Sequence, residues 1–583
     1  MSDTNPIIAS FIREFAKLND LTELSESEQF EHLLSMLLFR KSIHDRFSTS
    51  DVTTSPGETG IDGACVVLDG NLILTSEDAE HFFLKSKQSS SVIVEILFFQ
   101  GKLSKSFSRE QMLGFGEAVV ELLSNSTNAL PQDDYLTEIR GIYAVLLSNA
   151  AKLDLKKAVC KLSFCCLGEW KNPVHPALTL KKIETDLTEL EFFGSVEVSP
   201  VDRNAIRDLW TDATRAQEAS LPTVARFPFP AMPGVDNAVV ALVKAKDFVD
   251  KVVRDESGTI RSGIFDQNIR DFEGLSNPVN QKIRQTIESS GAKSRFGIMN
   301  NGITIVAKDM LPAADSYILR NYQIINGCQT SNVLNQIREQ LDDNVLLQVR
   351  LIQTTAPDVL NDVVESTNSQ TSVPPYQFLA NSKLAVETQE FFGSFPEDPH
   401  FRLHFERRKS ELVNADVSNT RIVTIQDLAR TFGAVFLEEP HSVARAPNQA
   451  FAVFSEKLFK DDDSPLLYYT AAFAHYRLQL LKVTGKLKIP ERRLYWHVLT
   501  AAKRIAAGRL NIAAQARKKQ DAFCAVFLEH LWEPNKALTL FEKAYQAIQA
   551  NVTQTTRDRL KRQAFTSEYL DALTKAEVSP AKS

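Results

Sequence analysis

The fold of the first part of the chain is decided by Gly60-Ile-Asp-Gly-Ala-Cys-Val-Val-Leu68 and its continuation Asp69-Gly-Asn-Leu-Ile-Leu74. Aliphatic residues run up to an Asp-Gly pair, which is a strong sequence signal for a two-residue hairpin turn. A third predicted strand, Ser91 to Lys102, is rich in β-branched and aromatic residues. We therefore predict a sheet that begins with a hairpin and continues with a longer strand.

Helical patterns surround these strands. Apolar residues recur every three to four positions from Ile7 to Phe15 and again from Phe30 to Leu38, which predicts two amphipathic helices. After the third strand the pattern predicts a helix from Arg109 to Leu123 and a strand near Cys160 to Cys166. A strand and a helix follow between residues 192 and 215. Residues 1–215 therefore form a predicted α/β domain.

The remaining chain divides by composition. A segment with several prolines, residues 216–235, is predicted to be a linker. Residues 236–450 alternate helices with strands, as at Gly302–Ala307, Tyr322–Ile325 and Val345–Leu351, and predict a central mixed α/β module. Strong helix formers dominate residues 451–583 and predict a helical C-terminal domain. The expected fold class is α/β multidomain.

Composition excludes several classes of protein. The 583 residues are 43% hydrophobic and 24% charged, as in globular proteins. The apolar runs are far shorter than the about 20 residues of a membrane helix, and Met1 to Pro6 shows no secretory signal, so we expect a cytoplasmic protein with no membrane partner. The six cysteines have no metal-binding spacing and are expected to be reduced core thiols. A net charge of −7 argues against indiscriminate binding to nucleic acid.

The third strand ends in Gln100-Gly-Lys102. Side chains alternate between the two faces of a strand, so Gln100 and Lys102 should emerge on the same side. Asp62, at the head of the hairpin, could meet them. A carboxylate, an amide oxygen and the main-chain carbonyl of Gly101 are hard oxygen ligands suited to Mg²⁺ or Mn²⁺. Lys102 would then hold the attacking water or stabilise negative charge on a phosphoryl group.

This Asp…Gln-x-Lys pattern resembles the PD-(D/E)XK nuclease superfamily in its Mrr-like form, in which Gln replaces the second acidic residue. Glu31 matches the position of the superfamily's helical glutamate, and Glu28 and Glu58 are weaker alternatives. The resemblance implies a catalytic set of Glu31, Asp62, Gln100 and Lys102, with Glu31, Asp62, Gln100 and Gly101 as metal ligands. It also implies DNA as the favoured substrate, although nothing in the chain excludes RNA.

A second resemblance covers residues 260–450. Ser294-Arg-Phe-Gly-Ile-Met-Asn-Asn-Gly-Ile-Thr304 is followed by Tyr322-Gln-Ile-Ile-Asn-Gly-Cys-Gln-Thr-Ser-Asn-Val-Leu334. This pair closely resembles the signature of the AIPR family, the abortive infection phage resistance proteins of bacteria. Supporting segments are 271–274, 277–280, 367–370 and 405–409. The resemblance implies a role in halting phage replication together with the infected cell.

Within that signature, Asn326-Gly-Cys-Gln-Thr330 is predicted to turn from a strand into a helix. The unpaired N–H groups and positive end of a helix suit a phosphate, and the turn resembles that of ParB-like nucleotide-binding domains. Alternatively, these Asn and Gly residues only stabilise tight turns. The candidate ligand-binding residues are Asn300, Asn301, Gly302, Thr304, Asn326, Gly327, Gln329 and Thr330.

Basic residues are concentrated near the C-terminus. Eleven Lys or Arg residues and a single Glu lie between Lys482 and Lys519, with Tyr495 and Trp496 among them. Such a stretch could bind a nucleic-acid strand, or it could be solvated helix surface. The candidate nucleic-acid-binding residues are Arg407, Arg408, Lys409, Arg492, Arg493, Lys503 and Arg504.

Together these patterns predict a bacterial anti-phage nuclease that hydrolyses phosphodiester bonds with a divalent metal. Its expected partners are nucleic acid, DNA before RNA, and a nucleotide or phage-derived trigger; a homodimeric state is left open. The alternative is a non-catalytic sensor of a nucleotide or phage component, built on a degenerate nuclease-like scaffold. The missing second acidic ligand favours the sensor, whereas the presence of both Asp62 and Lys102 favours the nuclease.

Overall fold

A computed structural model describes most of the chain. The described residues are 5–43, 46–54, 60–85, 91–124, 133–214, 217–255, 258, 260–261, 264–265, 278–356, 359–360, 362–363, 366, 379–380, 382–396, 401–407, 417–552 and 554–578. Glu58, one alternative to Glu31, lies outside them.

The chain divides into two compact units. The first contains Met1–Lys87, Val92–Trp210 and Pro374–Ser583, and the second contains Gln88–Ser91 and Thr211–Val373. The helical C-terminal residues therefore belong to the same unit as the N-terminal sheet. The boundaries drawn from the sequence differ from this division, because they assume that neighbours in sequence pack together.

The first unit contains a mixed sheet with strand order β2-β1-β3-β4-β5. The strands β1 and β2 form the predicted hairpin, in which Leu68 pairs with Asn71 and both Asp69 and Gly70 have positive φ angles. The strand β3 is antiparallel to β1 and parallel to β4, which is parallel to β5. The strands are β1 Gly63–Leu68, β2 Asn71–Ile73, β3 Val94–Lys102, β4 Val159–Cys166 and β5 Ser195–Val201.

Helices cover both faces of this sheet. The side chains of Ile96 and Phe98 in β3 belong to the core under the helices that follow the hairpin, whereas Phe99 contacts Phe39 on the other face. The second helix begins with a capping box in which Ser25 and Glu28 bond each other's backbone. The helices are α1 Pro6–Leu18, α2 Glu26–Phe39, α3 Thr49–Val52, α4 Ser76–Lys85, α5 Arg109–Leu123, α6 Asp134–Ser148, α7 Val174–Thr188 and α8 Arg203–Thr214.

The second unit contains a six-stranded mixed sheet with order β6-β10-β9-β11-β8-β7. Two of its strands lie within residues 216–235, so the linker prediction was wrong there. Alternating burial in Glu218–Pro222 and cross-strand pairing explain why this Pro-containing stretch forms edge strands. The strands are β6 Glu218–Pro222, β7 Ala225–Pro228, β8 Asn237–Lys244, β9 Ile303–Ala313, β10 Ser316–Asn326 and β11 Leu346–Gln353.

Short helices pack around this second sheet, and a core that includes Val249, Ile305, Leu319 and Leu334 joins the two layers. A π-helical turn, Val249–Val253, directly follows the first of these short helices, Ala245–Phe248. The helices are α9 Ala245–Phe248, α10 Pro278–Glu288, α11 Ser290–Lys293, α12 Phe296–Met299 and α13 Cys328–Gln336.

The C-terminal part of the first unit is largely helical, as predicted. Its core is rich in aromatic rings, including Phe432, Tyr468 and Phe473, and a small parallel ribbon pairs β12 with β13. The elements are α14 Lys383–Ser394, β12 His404–Glu406, β13 Ile422–Thr424, α15 Ile425–Val435, α16 Pro440–Arg445, α17 Ala450–Phe454, α18 Pro465–Val483, α19 Leu494–Ala507, α20 Arg517–Leu531, α21 Pro534–Asn551, α22 Arg557–Leu560 and α23 Gln563–Val578.

All six cysteine side chains are buried thiols, as the scattered spacing predicted. Among the residues that the structure describes, no helix is both long enough and apolar enough to cross a membrane.

His497 gives the first unit a testable pH dependence. It lies in the helical core, where one ring nitrogen is 2.9 Å from the carbonyl oxygen of Leu560 and the other is 3.3 Å from the Tyr569 hydroxyl. Burial lowers the pKa of His497 to about 3 from an ordinary value of 6.5. The folded state therefore binds fewer protons than the unfolded state below pH 6.5, so stability falls as the pH drops through that window.

We expect His497→Asn to weaken this pH dependence. Between pH 7 and pH 5 the free energy of unfolding of the wild type should fall by about 2 kcal/mol more than that of the variant. Urea titrations at the two pH values measure this difference. Equal losses in the two proteins would show that His497 is not a neutral group of the folded core.

Candidate functional site

Asp62 is held at the end of the first sheet by three contacts to the neighbouring strand. Its main-chain N–H donates to the carbonyl of Phe99 at 3.0 Å. Its Oδ2 accepts a hydrogen bond from the N–H of Gly101 at 2.8 Å and lies 3.2 Å from Nζ of Lys102. The structure therefore brings Asp62, Gly101 and Lys102 together, as the sequence predicted.

The Gly101 carbonyl is suitably directed for a ligand. In an extended strand the N–H and C=O of one residue point to the same side, because residues of a hydrogen-bonded pair exchange both bonds. The Gly101 N–H points to the Asp62 carboxylate, so its carbonyl oxygen faces the same edge. Gly101 has no room for a side chain, since a Cβ there would lie 2.6 Å from Leu34 and 3.6 Å from Phe30 of α2.

The same close packing brings Glu31 to the site. Glu31 lies in α2 beside Phe30. The hydroxyl of Ser27 donates a hydrogen bond to Oε1 of Glu31 at 3.4 Å. Burial, and then the charge of Asp62, raise the pKa of Glu31 to about 7, while Lys102 opposes the shift. Glu31 is therefore close enough to Asp62 and Lys102 to interact electrostatically with both. The weaker alternative Glu28 instead caps α2 through Ser25.

Gln100 occupies the opposite face of β3 from Gly101. Its side chain is buried and approaches Gly60, where an added Cβ would lie 3.1 Å from Nε2 of Gln100. Gly60 has a φ of +71°, which other residues adopt only with strain, so it suits this close approach. Within the described residues, Oε1 of Gln100 is buried and accepts no hydrogen bond. Such an oxygen is costly unless something else satisfies it.

These groups fit a hard divalent cation. Burial raises the pKa of Asp62, although Lys102 and the Gly101 N–H oppose that shift. Burial and the charge of Asp62 raise the pKa of Glu31, so the site disfavours two negative charges. A cation would relieve the repulsion between Asp62 and Glu31. The unsatisfied amide oxygen of Gln100 is a neutral ligand of the type that Mg²⁺ accepts. Among the described residues, no group of three or more His, Cys, Asp or Glu side chains forms a metal cluster, so Gln100 would have to contribute.

A second polar cluster lies in the other unit, around the start of α13. Nδ2 of Asn300 donates to the hydroxyl of Thr330 at 3.2 Å, and Oδ1 of Asn300 accepts from the N–H of Gly302 at 2.9 Å. Asn280, which is buried, donates to Oε1 of Gln329 at 2.7 Å. The two pairs cross-link α13 to the segments before it. These bonds are what the structural alternative for the Asn residues required.

The other predicted ligand-binding residues lie close to these pairs in sequence and fold. Thr304 is buried at the start of β9, Asn301 is exposed, and Asn326 ends β10. Asn280 was part of a supporting segment but was not proposed as a site residue. A single polar residue in an amphipathic helix gives no signal of its own burial, so the sequence alone could not select it.

Gly327 makes the turn between β10 and α13 possible. Its φ is +103°, and a Cβ there would lie 2.7 Å from Cγ1 of Ile303. We expect Gly327→Ala to destabilise the second unit by roughly 2 kcal/mol, because strain and overpacking add. Gly291→Ala is the matched control, since Gly291 has nothing within 4 Å of its Cβ position. Chemical denaturation of both variants checks this, and equal stabilities would contradict the role given to Gly327.

The described residues that the sequence predicts to bind nucleic acid make contacts within the first unit. Five of these cationic side chains form hydrogen bonds or ion pairs within the first unit, and three of the five pair with carboxylates. Arg407 donates to Gln389 and the Ala380 carbonyl, and Lys503 and Arg504 both pair with Glu438. Arg493 pairs with glutamates, and Arg492 donates to backbone carbonyls.

Desolvation explains this outcome. A buried guanidinium or ammonium group needs a partner, and a charge that is already paired is not available to phosphate. The aromatic residues of the stretch are also engaged, with Tyr495 buried and Trp496 stacked on His475. Arg408 and Lys409 lie outside the described residues, as do the supporting residues 271–274, 277 and 367–370.

Comparison with known proteins supports the second resemblance. The family model described as AIPR protein matches residues 265–559, which is just over half of the 583 residues. The match begins beyond Asp62, Gln100 and Lys102, and it gives no support to an N-terminal PD-(D/E)XK domain. Neither the curated proteins nor the solved structures include a match to this chain.

Proposed function

From the premise that this chain belongs to the AIPR family, which implies a role in abortive-infection phage resistance, we propose that it acts as a metal-dependent nuclease. The proposed reaction is hydrolysis of a phosphodiester bond in nucleic acid, DNA before RNA. The proposed site consists of Glu31, Asp62, Gln100 and Lys102, with the Gly101 carbonyl as a further ligand.

One observation carries the proposal. Lys102 and the Gly101 N–H converge on one carboxylate oxygen of Asp62, at 3.2 and 2.8 Å. Burial, and then the charge of Asp62, raise the pKa of the nearby Glu31. Residues 40 positions apart in sequence have no local reason to meet. Titratable groups with perturbed pKa values that lie together at the end of a sheet are typical of functional sites.

Accessibility supports the same interpretation. The Lys102 side chain is 31% exposed and that of Asp62 is 17% exposed. By contrast, a buried structural pair such as Arg493 with Glu138 is 4% and 6% exposed. A substrate phosphate could therefore reach the ammonium group of Lys102 without unfolding of the sheet.

The residues divide the chemistry among them. Asp62, Glu31, Gln100 and the Gly101 carbonyl would hold the ion, which when bound supplies polarisation of a phosphoryl oxygen and a more acidic coordinated water. Lys102 donates to the attacking water or to the negative phosphoryl oxygens. In the balanced step, the water oxygen forms a bond to phosphorus, the bond to the leaving oxygen breaks, and the proton of the water passes to solvent or to that oxygen.

The test is cleavage by the full-length purified chain. Supercoiled plasmid and single-stranded RNA are incubated with the protein and Mg²⁺ or Mn²⁺, and with EDTA as the control. We expect nicking or linearisation of the plasmid that depends on the metal. Mn²⁺ binding is measured on the same preparation by titration calorimetry. A folded protein that neither binds Mn²⁺ nor cuts either substrate would contradict the proposal.

One observation favours the alternative, a non-catalytic sensor. The hydrogen-bonded pairs Asn300–Thr330 and Asn280–Gln329 order the start of α13, and the positive end of a helix suits an anionic ligand. A sensor predicts binding of nucleotides without hydrolysis. Titration of the full chain with ATP, together with the cleavage assay above, separates the two functions.

A further inference from the structure

Arg492 makes an unusual set of contacts to the N-terminal part of its own unit. Its Nη1 donates to the carbonyl of Asp51 at 3.0 Å and its Nη2 donates to the carbonyl of Thr53 at 2.6 Å. Both acceptors are main-chain groups at the end of α3. The side chain therefore holds a stretch of backbone rather than a single carboxylate.

That stretch of backbone leads directly to Asp62. Thr53 forms a bridge with Gly63, and the N–H of the next residue, Thr54, donates to the carbonyl of Asp62 at 3.1 Å. The hydroxyl of Thr54 donates to the carbonyl of Ile61 at 2.6 Å. Two hydrogen bonds from Thr54 thus join the segment that Arg492 contacts, residues 51–54, to the backbone carbonyls of Asp62 and Ile61.

A second route runs from Arg492 to the other side of Asp62. The guanidinium carbon lies 4.3 Å from the ring centroid of Tyr135, and the hydroxyl of Tyr135 donates to the carbonyl of Ala64 at 2.9 Å. The backbone N–H of Arg492 donates to Oδ2 of Asp134 at 2.9 Å, which fixes the arginine itself. Contacts that depend on one arginine therefore hold the backbone both before and after Asp62.

We infer that Arg492 is a positioning residue for the Asp62 site. Arg492 lies within residues 265–559, the segment that matches the AIPR family, whereas Asp62 lies outside that segment. The family segment would thus complete a site built mainly from the N-terminal sheet. This inference rests on the proposed function, because Arg492 is inferred to orient Asp62, which is a metal ligand only in that proposal.

The chemistry of the arginine explains why this role needs a guanidinium group. Its planar fork presents separate N–H donors in a fixed geometry, so one side chain can serve Asp51 and Thr53 and still stack on Tyr135. A lysine keeps the charge but has a single ammonium group, which cannot serve the two carbonyls and the ring in the same way. Arg492→Lys therefore removes the alignment with the least change in charge.

The experiment compares the full-length wild type with Arg492→Lys by amide hydrogen exchange and by Mn²⁺ titration. We expect the Thr54 and Asp62 amides to exchange about tenfold faster in the variant, because their hydrogen bonds lose support. We expect the dissociation constant for Mn²⁺ to rise about tenfold, as for other residues that orient metal ligands.

The matched control is Arg421→Lys. Arg421 also joins the helical part of this unit to an N-terminal carboxylate, that of Asp20, and its side chain is 11% exposed. Its guanidinium also donates to the carbonyl of Arg402. We expect it to leave exchange at Thr54 and Asp62 and the Mn²⁺ affinity unchanged, with a comparable effect on overall stability.

The possible failures are distinguishable. If the wild type binds Mn²⁺ and Arg492→Lys binds it equally well, the positioning role is overturned while the proposed function stands. Unchanged exchange at Thr54 and Asp62 would overturn it as well. If the folded wild type binds no Mn²⁺, the proposed function fails and the positioning role fails with it.

Discussion

Replacing Lys102 with methionine should slow phosphodiester cleavage by about a thousandfold, which is the size of effect seen when one aimed donor is removed from a charged transition state. Methionine keeps an unbranched, apolar side chain close to the length of the lysine stem and lacks the ammonium group. Lys102 is the cation that contacts Asp62, at 3.2 Å, and its side chain is 31% exposed. Plasmid cleavage under single-turnover conditions measures the loss.

Lys161→Met is the matched control for this prediction. Lys161 is also a strand lysine paired with a carboxylate of β3, since its Nζ lies 3.4 Å from Oε2 of Glu95, and it is 37% exposed. Glu95 and Lys161 lie at the other end of the paired strands from Gln100 and Lys102. We expect wild-type cleavage from this variant.

Two results would contradict the role of Lys102. Cleavage by Lys102→Met at a rate within tenfold of the wild type would show that the ammonium group is not part of the reaction. An equal loss in Lys161→Met would show that both substitutions act through the stability of the sheet. Unfolding curves of the two variants distinguish that case, since exposed pairs of this kind contribute at most about 1 kcal/mol.

Replacing Arg493 with methionine should destabilise the first unit by about 3 to 5 kcal/mol. Arg493 donates from Nε to Glu138 at 2.8 Å and from Nη2 to Glu77 at 2.9 Å, and its side chain is 4% exposed. Removing the guanidinium leaves the buried carboxylate of Glu138 and the partly buried carboxylate of Glu77 without one of their cationic partners. The free energy of unfolding in urea at pH 7 measures the effect.

The control for Arg493 is Arg517→Met. Arg517 pairs with Glu387 at 2.6 Å, but the two side chains are 39% and 40% exposed. Water already solvates both charges, so we expect a change below about 1 kcal/mol. If the two variants lose the same stability, burial is not what makes the Arg493 pairs important.

Ion pairs like those of Arg493 also decide whether a truncated protein can fold. Arg557 pairs with Asp134, and Lys561 pairs with Glu77, so partly buried acids of the N-terminal part also depend on cations of the helical part. Removing the helical residues would take away the aromatic core that they form and would leave these acids without their cationic partners. A shortened chain is therefore expected to unfold, and point substitutions such as Lys102→Met are the better test of activity.

Much of the local structure could be predicted from the sequence. The Asp69-Gly70 turn, the strand ending at Lys102 and the helix beginning at Arg109 all appear where the pattern places them. Turn residues and apolar periodicity are properties of a short segment, so they can be read without knowing which other segments pack against it. The linker at 216–235 was mistaken because prolines are tolerated on edge strands, which only the neighbouring strand reveals.

The candidate site was predicted in part for the same reason. Asp62 lies just before β1 and Lys102 ends β3, two elements that local patterns predicted, but the pairing of β1 with β3 that brings them together is a tertiary contact between residues 40 positions apart. The packing of the basic stretch could not be predicted, because the charge of a residue in a sequence does not say whether its side chain is buried. Lys503, for example, is 1% exposed and paired with Glu438, although its sequence resembles a solvated helix face.

Most of the elements, the hairpin turn and the family to which the chain belongs followed from the sequence alone, because these depend on spacing and residue type along the chain. Only the tertiary structure decided that residues 374–583 share a unit with the first sheet, and that Arg492 grips the backbone leading to Asp62. The physical reason is that burial and charge pairing over hundreds of residues depend on which surfaces meet in space. No local pattern records that choice.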